Sequence, residues 1–262
     1  MRLAHDAGMR ALLVVLVSLL AVPAGAHAPL WVDLTHAFGP DTLYWPTERA
    51  GFRSEIVHRG PTPGGFYYEA NRFSSAEHGG THLDAPAHFA KGKRRVHEIP
   101  PGVLVGAAVV VDIADKAAKD ADALLEPADL ERWEKQHGKL EERAIVLVHT
   151  GWGKRWPDRK RVFGSDTPGD TAHLHFPGIS EAAARWLVAR KVKLVGIDTP
   201  SVDHGPSKDF RAHRVLAEAD VPGLENVARL ELLKPRGARV VALPMKIQDG
   251  SGAPCRIIAE VY

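Results

Sequence analysis

Thiols are almost absent: Cys255 is the single cysteine among 262 residues. An internal disulfide framework and a thiolate-rich zinc site are both excluded, so any bound cation must be held by His, Asp and Glu. Charge of one sign is also lacking, with 34 Lys+Arg against 32 Asp+Glu for a formal net charge of +2, and aromatic residues contribute only 7%. Without a basic stripe to neutralise phosphates, nucleic acid is excluded as a partner. The uncharged apolar run Ala11–Val22 falls short of the roughly 20 residues that cross a bilayer as a helix. There is no G-x-G-x-x-G, no Walker loop and no nucleophile elbow, so nothing calls for an organic cofactor.

What is present is the composition of a globular protein, 45% hydrophobic and 25% charged, enough to build a core without disulfide or metal staples. Arg2 and Arg10 precede the apolar run, and Ala24-Gly25-Ala26 follows it. A basic start, a short apolar stretch and an A-x-A site together read as a secretory signal peptide over 1–26, cut after Ala26. The remaining 27–262 is then one exported, periplasmic domain with no stable membrane insertion after cleavage. A solitary cysteine suits an oxidising compartment.

Short runs rich in Val and Ile at Val103–Ile113, Ile145–Val148, Leu194–Ile197, Val240–Leu243 and Ile257–Val261 read as largely buried strands. Helical patterns cover Ala128–His137, Glu181–Arg190 with Ser180 at its N-cap, and Ala212–Glu218. The front half, with Gly60–Gly65 (GPTPGG), reads as hairpins and loops. Strands alternating with helices point to a single α/β domain of mixed strand direction.

The chemistry concentrates in Glu77-His78-Gly79-Gly80-Thr81-His82-Leu83-Asp84-Ala85-Pro86-Ala87-His88-Phe89. Two glycines and a proline oppose a continuous helix, so the segment is extended or looped. In an extended chain His82 and Asp84 leave the same face about 6.6 Å apart, close enough to converge on one cation. His78 reaches the same ion if Gly79 and Gly80 let the chain curl, and Pro86 can turn the chain so that His88 approaches from the other side. Imidazoles and a carboxylate without a thiolate suit Zn²⁺, Mn²⁺ or Fe²⁺. His88 is the candidate catalytic residue, a proton shuttle, because an unperturbed imidazole titrates at about 6.5. The alternative for any one of these histidines is a polar loop that hydrogen-bonds backbone or water.

The same stretch resembles the H-x-G-T-H-x-D-x-P-x-H signature of the metal-dependent cyclase family, which includes bacterial kynurenine formamidases and isatin hydrolases. His78, Gly80, Thr81, His82, Asp84, Pro86 and His88 match it in full. The likeness continues through Val32–His36, Trp45-Pro46, His149–Trp152, Phe176–Ser180, Gly196–Thr199 and Gly250-Ser251-Gly252. The resemblance implies an α/β domain of the swivelling β/β/α type with a mixed, barrel-like sheet. It also implies a divalent metal, Zn or Mn, as one or two ions, and a homodimer or homotetramer. Carried over by position, the metal ligands are His78, His82 and Asp84, completed by His213 and Glu225 twelve residues later, the formamidase pattern, whereas isatin hydrolases are expected to vary at the Glu position. Read without the family, His213 and Glu225 are ordinary surface residues.

Trp45, Phe66 and Phe210 are candidates for stacking on an aromatic substrate, with core packing as the alternative. His173 and His175 read as loop or cavity-lining residues, and Asp198, Asp203 and His204 as either functional groups or a turn. The activity the resemblance implies is hydrolysis of a small non-peptide amide such as an aryl formamide, N-formylkynurenine for example, with His88 moving the proton. Opening of a cyclic lactam is the alternative, and a periplasmic metal- or metabolite-binding protein without turnover is the rival from another class.

Overall fold

The computed structural model describes residues 30–261, so the leader over 1–26 lies outside the described residues. Twelve strands occur in chain order: β1 Leu30–Asp33, β2 Arg53–Pro61, β3 Tyr67–Ser74, β4 His82–Asp84, β5 Val105–Asp112, β6 Leu124–Leu125, β7 Ile145–His149, β8 Gly178–Ile179, β9 Leu194–Ile197, β10 Gly223–Glu225, β11 Ala238–Pro244 and β12 Gly252–Val261. The helices are α1 Pro101–Leu104, α2 Ala114–Ala117, α3 Pro127–His137, α4 Arg159–Phe163, α5 Glu181–Ala189 and α6 Arg211–Glu218.

Strands pair in the order β12-β11-β5-β7-β9-β10-β4, and β4 pairs back onto β12, closing the sheet into a barrel. β1 joins the outer half of β12 beside β4. The β5-β7-β9-β10 half is parallel and the remainder antiparallel. The parallel strands are apolar at nearly every position because both faces are covered. Inward residues such as Val110, Leu147, Leu194, Leu83, Leu224, Val240 and Ile257 fill the barrel. Outward residues such as Val111, Val146, Val148 and Ile197 pack under Leu130 and Trp133 of α3, Ala184 and Leu187 of α5 and Leu216 of α6.

The element boundaries follow local chemistry. Ser180 Oγ accepts the Ala183 backbone N–H at 3.1 Å and starts α5, as an N-cap hydroxyl does. The GPTPGG segment makes the turn between β2 and β3, where Phe66 O accepts the Thr62 N–H at 2.8 Å. This hairpin stands clear of the barrel, with Ile56, Val57, Tyr67, Tyr68 and Phe73 exposed. A third apolar group, Leu43, Trp152, Val162, Phe163, Leu174 and Phe176, with Trp45 against it, lies beside the barrel and backs the cavity described next.

Candidate metal centre and substrate cavity

β4 is only three residues long and carries two of the expected ligands. Leu83 points into the barrel, so strand alternation turns His82 and Asp84 outward together. β10 runs antiparallel beside it and sets Glu225 directly opposite His82. The chain before β4 bends at Gly80, whose φ of 56° is left-handed, and brings His78 back so that its Nδ1 lies 2.6 Å from Asp84 Oδ1. Glycine is required at Gly252 for want of space, since a Cβ there would lie 2.5 Å from His78 Cε1. After β4, Pro86 opens a 3-10 turn, Pro86–His88, which returns His88 to stack on His78 at 3.8 Å between ring centroids. His213 comes from α6, with Nε2 at 3.2 Å from Asp84 Oδ2 and 3.0 Å from Glu225 Oε1.

The result is two overlapping triads, His78-His82-Asp84 and Asp84-His213-Glu225, each with its ligand atoms within 4.8 Å of one another. Asp84 belongs to both triads. His82, Asp84, His213 and Glu225 are buried. Each imidazole is fixed by its second nitrogen, which sets which nitrogen faces the centre. His82 Nδ1 donates to Gly80 O at 3.0 Å, and His213 Nδ1 donates to Asp203 Oδ2 at 2.6 Å. Ser251 Oγ donates to Glu77 Oε2 at 2.7 Å and so accepts from His78 Nε2 at 2.9 Å.

Burial penalises charge on His82, yet the close carboxylates of Asp84 and Glu225 raise its pKa to about 10. His213 is raised in the same way against its burial, by Asp203, Asp84 and Glu225. Asp84 and Glu225 stay ionised despite burial, held down by these histidines and, for Asp84, by His78. Two buried carboxylates thus depend on neighbouring cations, the electrostatic condition a divalent ion meets. His82 Nε2 is sealed from solvent and makes no well-formed hydrogen bond, although both carboxylates lie within 3.3 Å. An orphaned imidazole nitrogen among carboxylate oxygens, with no thiolate near, fits a borderline cation such as Zn²⁺ or Mn²⁺.

A cavity of about 280 Å³ opens on the centre. Leu43, Tyr44, Trp45, Phe89, Phe163 and Phe210 wall it, and no Lys or Arg lines it among the described residues. Phe210 takes a left-handed φ of 49° at the start of α6, which sets its ring 6.2 Å from Trp45 and 5.4 Å from Phe89. Tyr44 lies flat on Gly79, where a Cβ would meet its ring at 2.1 Å, and its hydroxyl pairs with Ser75 Oγ at 2.6 Å. His88 lines the same cavity with its outer edge open to solvent. Desolvation by the surrounding walls lowers its pKa to about 4.

The structure brings together His78, His82, Asp84, His88, His213 and Glu225, and sets Trp45 and Phe210 in the wall. Phe66 is different: it sits in the β2–β3 turn, 62% exposed, and does not line the cavity. The GPTPGG turn carries it away from the barrel, so the expected stacking role fails within this chain. His173 and His175 pair with Asp170 and Asp122 outside the cavity. Sequence alone gives Glu77, Ser251, Tyr44 and Phe89 no role of their own, and leaves Asp203 open between a site and a turn. The Gly250-Ser251-Gly252 motif was the available signal for Ser251.

The Cyclase family model matches residues 32–204. An isatin hydrolase from Roseibium aggregatum is 30% identical over 249 residues, covering 88% of this chain and 91% of that protein. A kynurenine formamidase from Bacillus thuringiensis is 26% identical over 229 residues, 87% of this chain and 96% of that protein. Among solved structures, isatin hydrolase A from Ralstonia solanacearum superposes with a TM-score of 0.81 at 33% identity, covering 89% of this chain and 92% of that one.

Proposed function

The chain belongs to the Cyclase family, and from that premise and the geometry of its site we propose that it is a metal-dependent hydrolase that cleaves the C–N bond of a small, neutral, aromatic amide. The observation that carries the reading is the pairing of a buried His/Asp/Glu centre with an aromatic cavity that no Lys or Arg lines among the described residues. A bicyclic lactam of the isatin kind suits such a cavity, since flat rings stack on Trp45, Phe89 and Phe210. N-formylkynurenine carries an amino-acid carboxylate that finds no Lys or Arg among the described lining residues. The aryl formamide reading is favoured by a different observation, the complete His213 and Glu225 pair facing Asp84.

His78, His82 and Asp84 would hold one divalent ion, Zn or Mn, and Asp84, His213 and Glu225 a second. Such an ion, when bound, supplies a Lewis acid for the carbonyl oxygen and a nucleophile from water near neutral pH. The aromatic walls orient the ring and thin the water around the scissile bond. His88, neutral at neutral pH and exposed on the cavity, takes a proton and returns it to the departing nitrogen. We also infer export to the periplasm, and assembly as a homodimer or homotetramer, for which the exposed apolar side chains of the β2–β3 hairpin give support.

The test is turnover by protein starting at residue 27, loaded separately with Zn²⁺ and Mn²⁺, on isatin and on N-formylkynurenine with a chelated control. Chelator-sensitive hydrolysis of either compound is expected. His88→Ala should keep its metal and lose turnover by about 10²- to 10⁴-fold. A metal-loaded protein that hydrolyses neither compound would instead support a binding role.

A further inference from the structure

Only one end of the Asn226 side-chain amide is engaged. Asn226 follows Glu225, is 4% exposed, and takes a left-handed φ of 51°. Its backbone is tied on both sides: its N–H donates to Thr199 O at 2.8 Å, and its carbonyl accepts from Thr81 Oγ1 at 2.7 Å. Its side chain reaches Gly80 O at 2.8 Å, the carbonyl that also accepts from His82 Nδ1. A carbonyl only accepts, so the group facing Gly80 must be the NH₂, and the identity of Oδ1 is thereby fixed.

That oxygen accepts no hydrogen bond among the described residues, and it is not one of the unpartnered atoms sealed from solvent. Since Asn226 lines the cavity beside His82 and Glu225, the oxygen's open side is the cavity. Of the hydroxyl groups there, that of Tyr44 pairs with Ser75 and that of Ser201 accepts from the Asp203 N–H. A rigidly held acceptor without a donor, next to the centre, asks for a ligand N–H.

We propose that Asn226 Oδ1 accepts a hydrogen bond from the N–H of the amide or lactam that is cleaved, and so makes the enzyme selective for secondary amides. This rests on the reading of the site as a C–N hydrolase. A site built to pair with an N–H rejects an isostere lacking it, because its own acceptor is then left dry and unpaired. The same contact orients the scissile nitrogen toward His88 and leaves the carbonyl free to face the centre.

Oxindole and 2-indanone differ by N–H against CH₂ at equal size, which removes bulk as an explanation. Their affinities for the zinc-loaded chain, measured by calorimetry, should differ by at least tenfold in favour of oxindole. Asn226→Gly accepts the same left-handed backbone and should bring the two affinities within about threefold. Equal affinities in the unaltered protein would overturn the inference, as would a preference that survives Asn226→Gly, or binding of neither compound. Chelator-sensitive turnover of isatin tests the hydrolase reading separately: its absence alongside an intact preference sinks that reading alone, and its presence alongside equal affinities sinks the inference alone.

Discussion

Asp203 Oδ2 lies 2.6 Å from Nδ1 of His213 and 3.1 Å from the backbone nitrogen of the same residue. Its other oxygen accepts the Ala212 N–H at 2.9 Å. One carboxylate therefore caps the free N–H groups at the start of α6 and fixes the imidazole that this helix carries into the metal centre. The helix and the ligand are set by a single residue, which couples formation of α6 to the geometry of the centre.

Asp203→Asn preserves the shape and one acceptor but offers an NH₂ where Nδ1–H or a backbone N–H now donates. Metal affinity, read by competition with a chromophoric chelator, should fall about 10- to 100-fold. Stability should fall by about 0.5–2 kcal/mol, the usual range for a lost N-cap. Unchanged metal affinity would show that His213 is oriented by its ring contacts alone, including Phe89 stacked at 4.3 Å.

Metal uptake should release protons. In the metal-free chain His82 titrates at about 10 and His213 well above its ordinary value, both raised by the carboxylates against the opposing effect of burial. For a raised base, the stabilisation of the metal-free fold is complete below about 6.5 and fades as pH climbs through the folded pKa. A cation must displace those protons, so its affinity weakens as pH falls, by about tenfold per pH unit for each proton displaced. Calorimetry at pH 7.5 in buffers of different ionisation enthalpy should report about two protons released when both triads fill. A buffer-independent heat would contradict this arrangement of charges.

Much of the scaffold was legible because both faces of its central strands are covered. Leu194–Ile197 and Ile145–Val148 are continuous apolar runs, and they are β9 and the first four residues of β7. Glu181 and Ser180 mark the start of α5 in sequence and in space. Closure of the barrel was harder to read, because it depends on β4, three residues long, with no pattern of its own. The site was legible where ligands are local, from His78 to His88. His213 and Glu225 needed the family resemblance, since nothing near them in sequence marks a contact with Asp84, 129 residues away from His213. Asp203, Ser251 and Asn226 are short polar residues in turn-like sequence, and only the folded geometry shows that each aims a hydrogen bond at a ligand or its loop.

His36 gives a pH dependence independent of the metal ligands. It stacks on Trp156 at 4.5 Å, its Nε2 is buried without a partner, and burial followed by repulsion from Arg229 lowers its pKa to about 4. The unfolded chain takes up a proton here below about 6.5 while the folded chain does not until about 4, so stability is lost as pH falls through that window. The loss between pH 8 and pH 5 amounts to about 2 kcal/mol from this group. His36→Phe keeps the ring stack and removes the titration. Urea unfolding of both proteins at pH 8 and pH 5 should show the variant losing about 2 kcal/mol less than the unaltered chain; parallel losses would remove His36 as the cause.

Gly223 and Gly252 both lie opposite Asp84, one on each side of β4, yet they should respond differently to a methyl group. At Gly252 a Cβ would lie 2.5 Å from His78 Cε1 and 2.7 Å from Leu83 O. The Leu83 oxygen is backbone and cannot rotate away, so Gly252→Ala must part β12 from β4 or displace His78. Either result opens the barrel seam or breaks the first triad, at a stability cost of about 1–3 kcal/mol together with loss of metal affinity. At Gly223 the nearest atoms are Val202 Cγ1 at 3.7 Å and Asp84 Cβ at 3.9 Å, which is ordinary contact. Gly223→Ala should therefore bind metal within about twofold of the unaltered chain and unfold within about 0.5 kcal/mol of it. Equal damage from the two substitutions would mean that crowding around Asp84, rather than the fit of His78 against β12, limits the site.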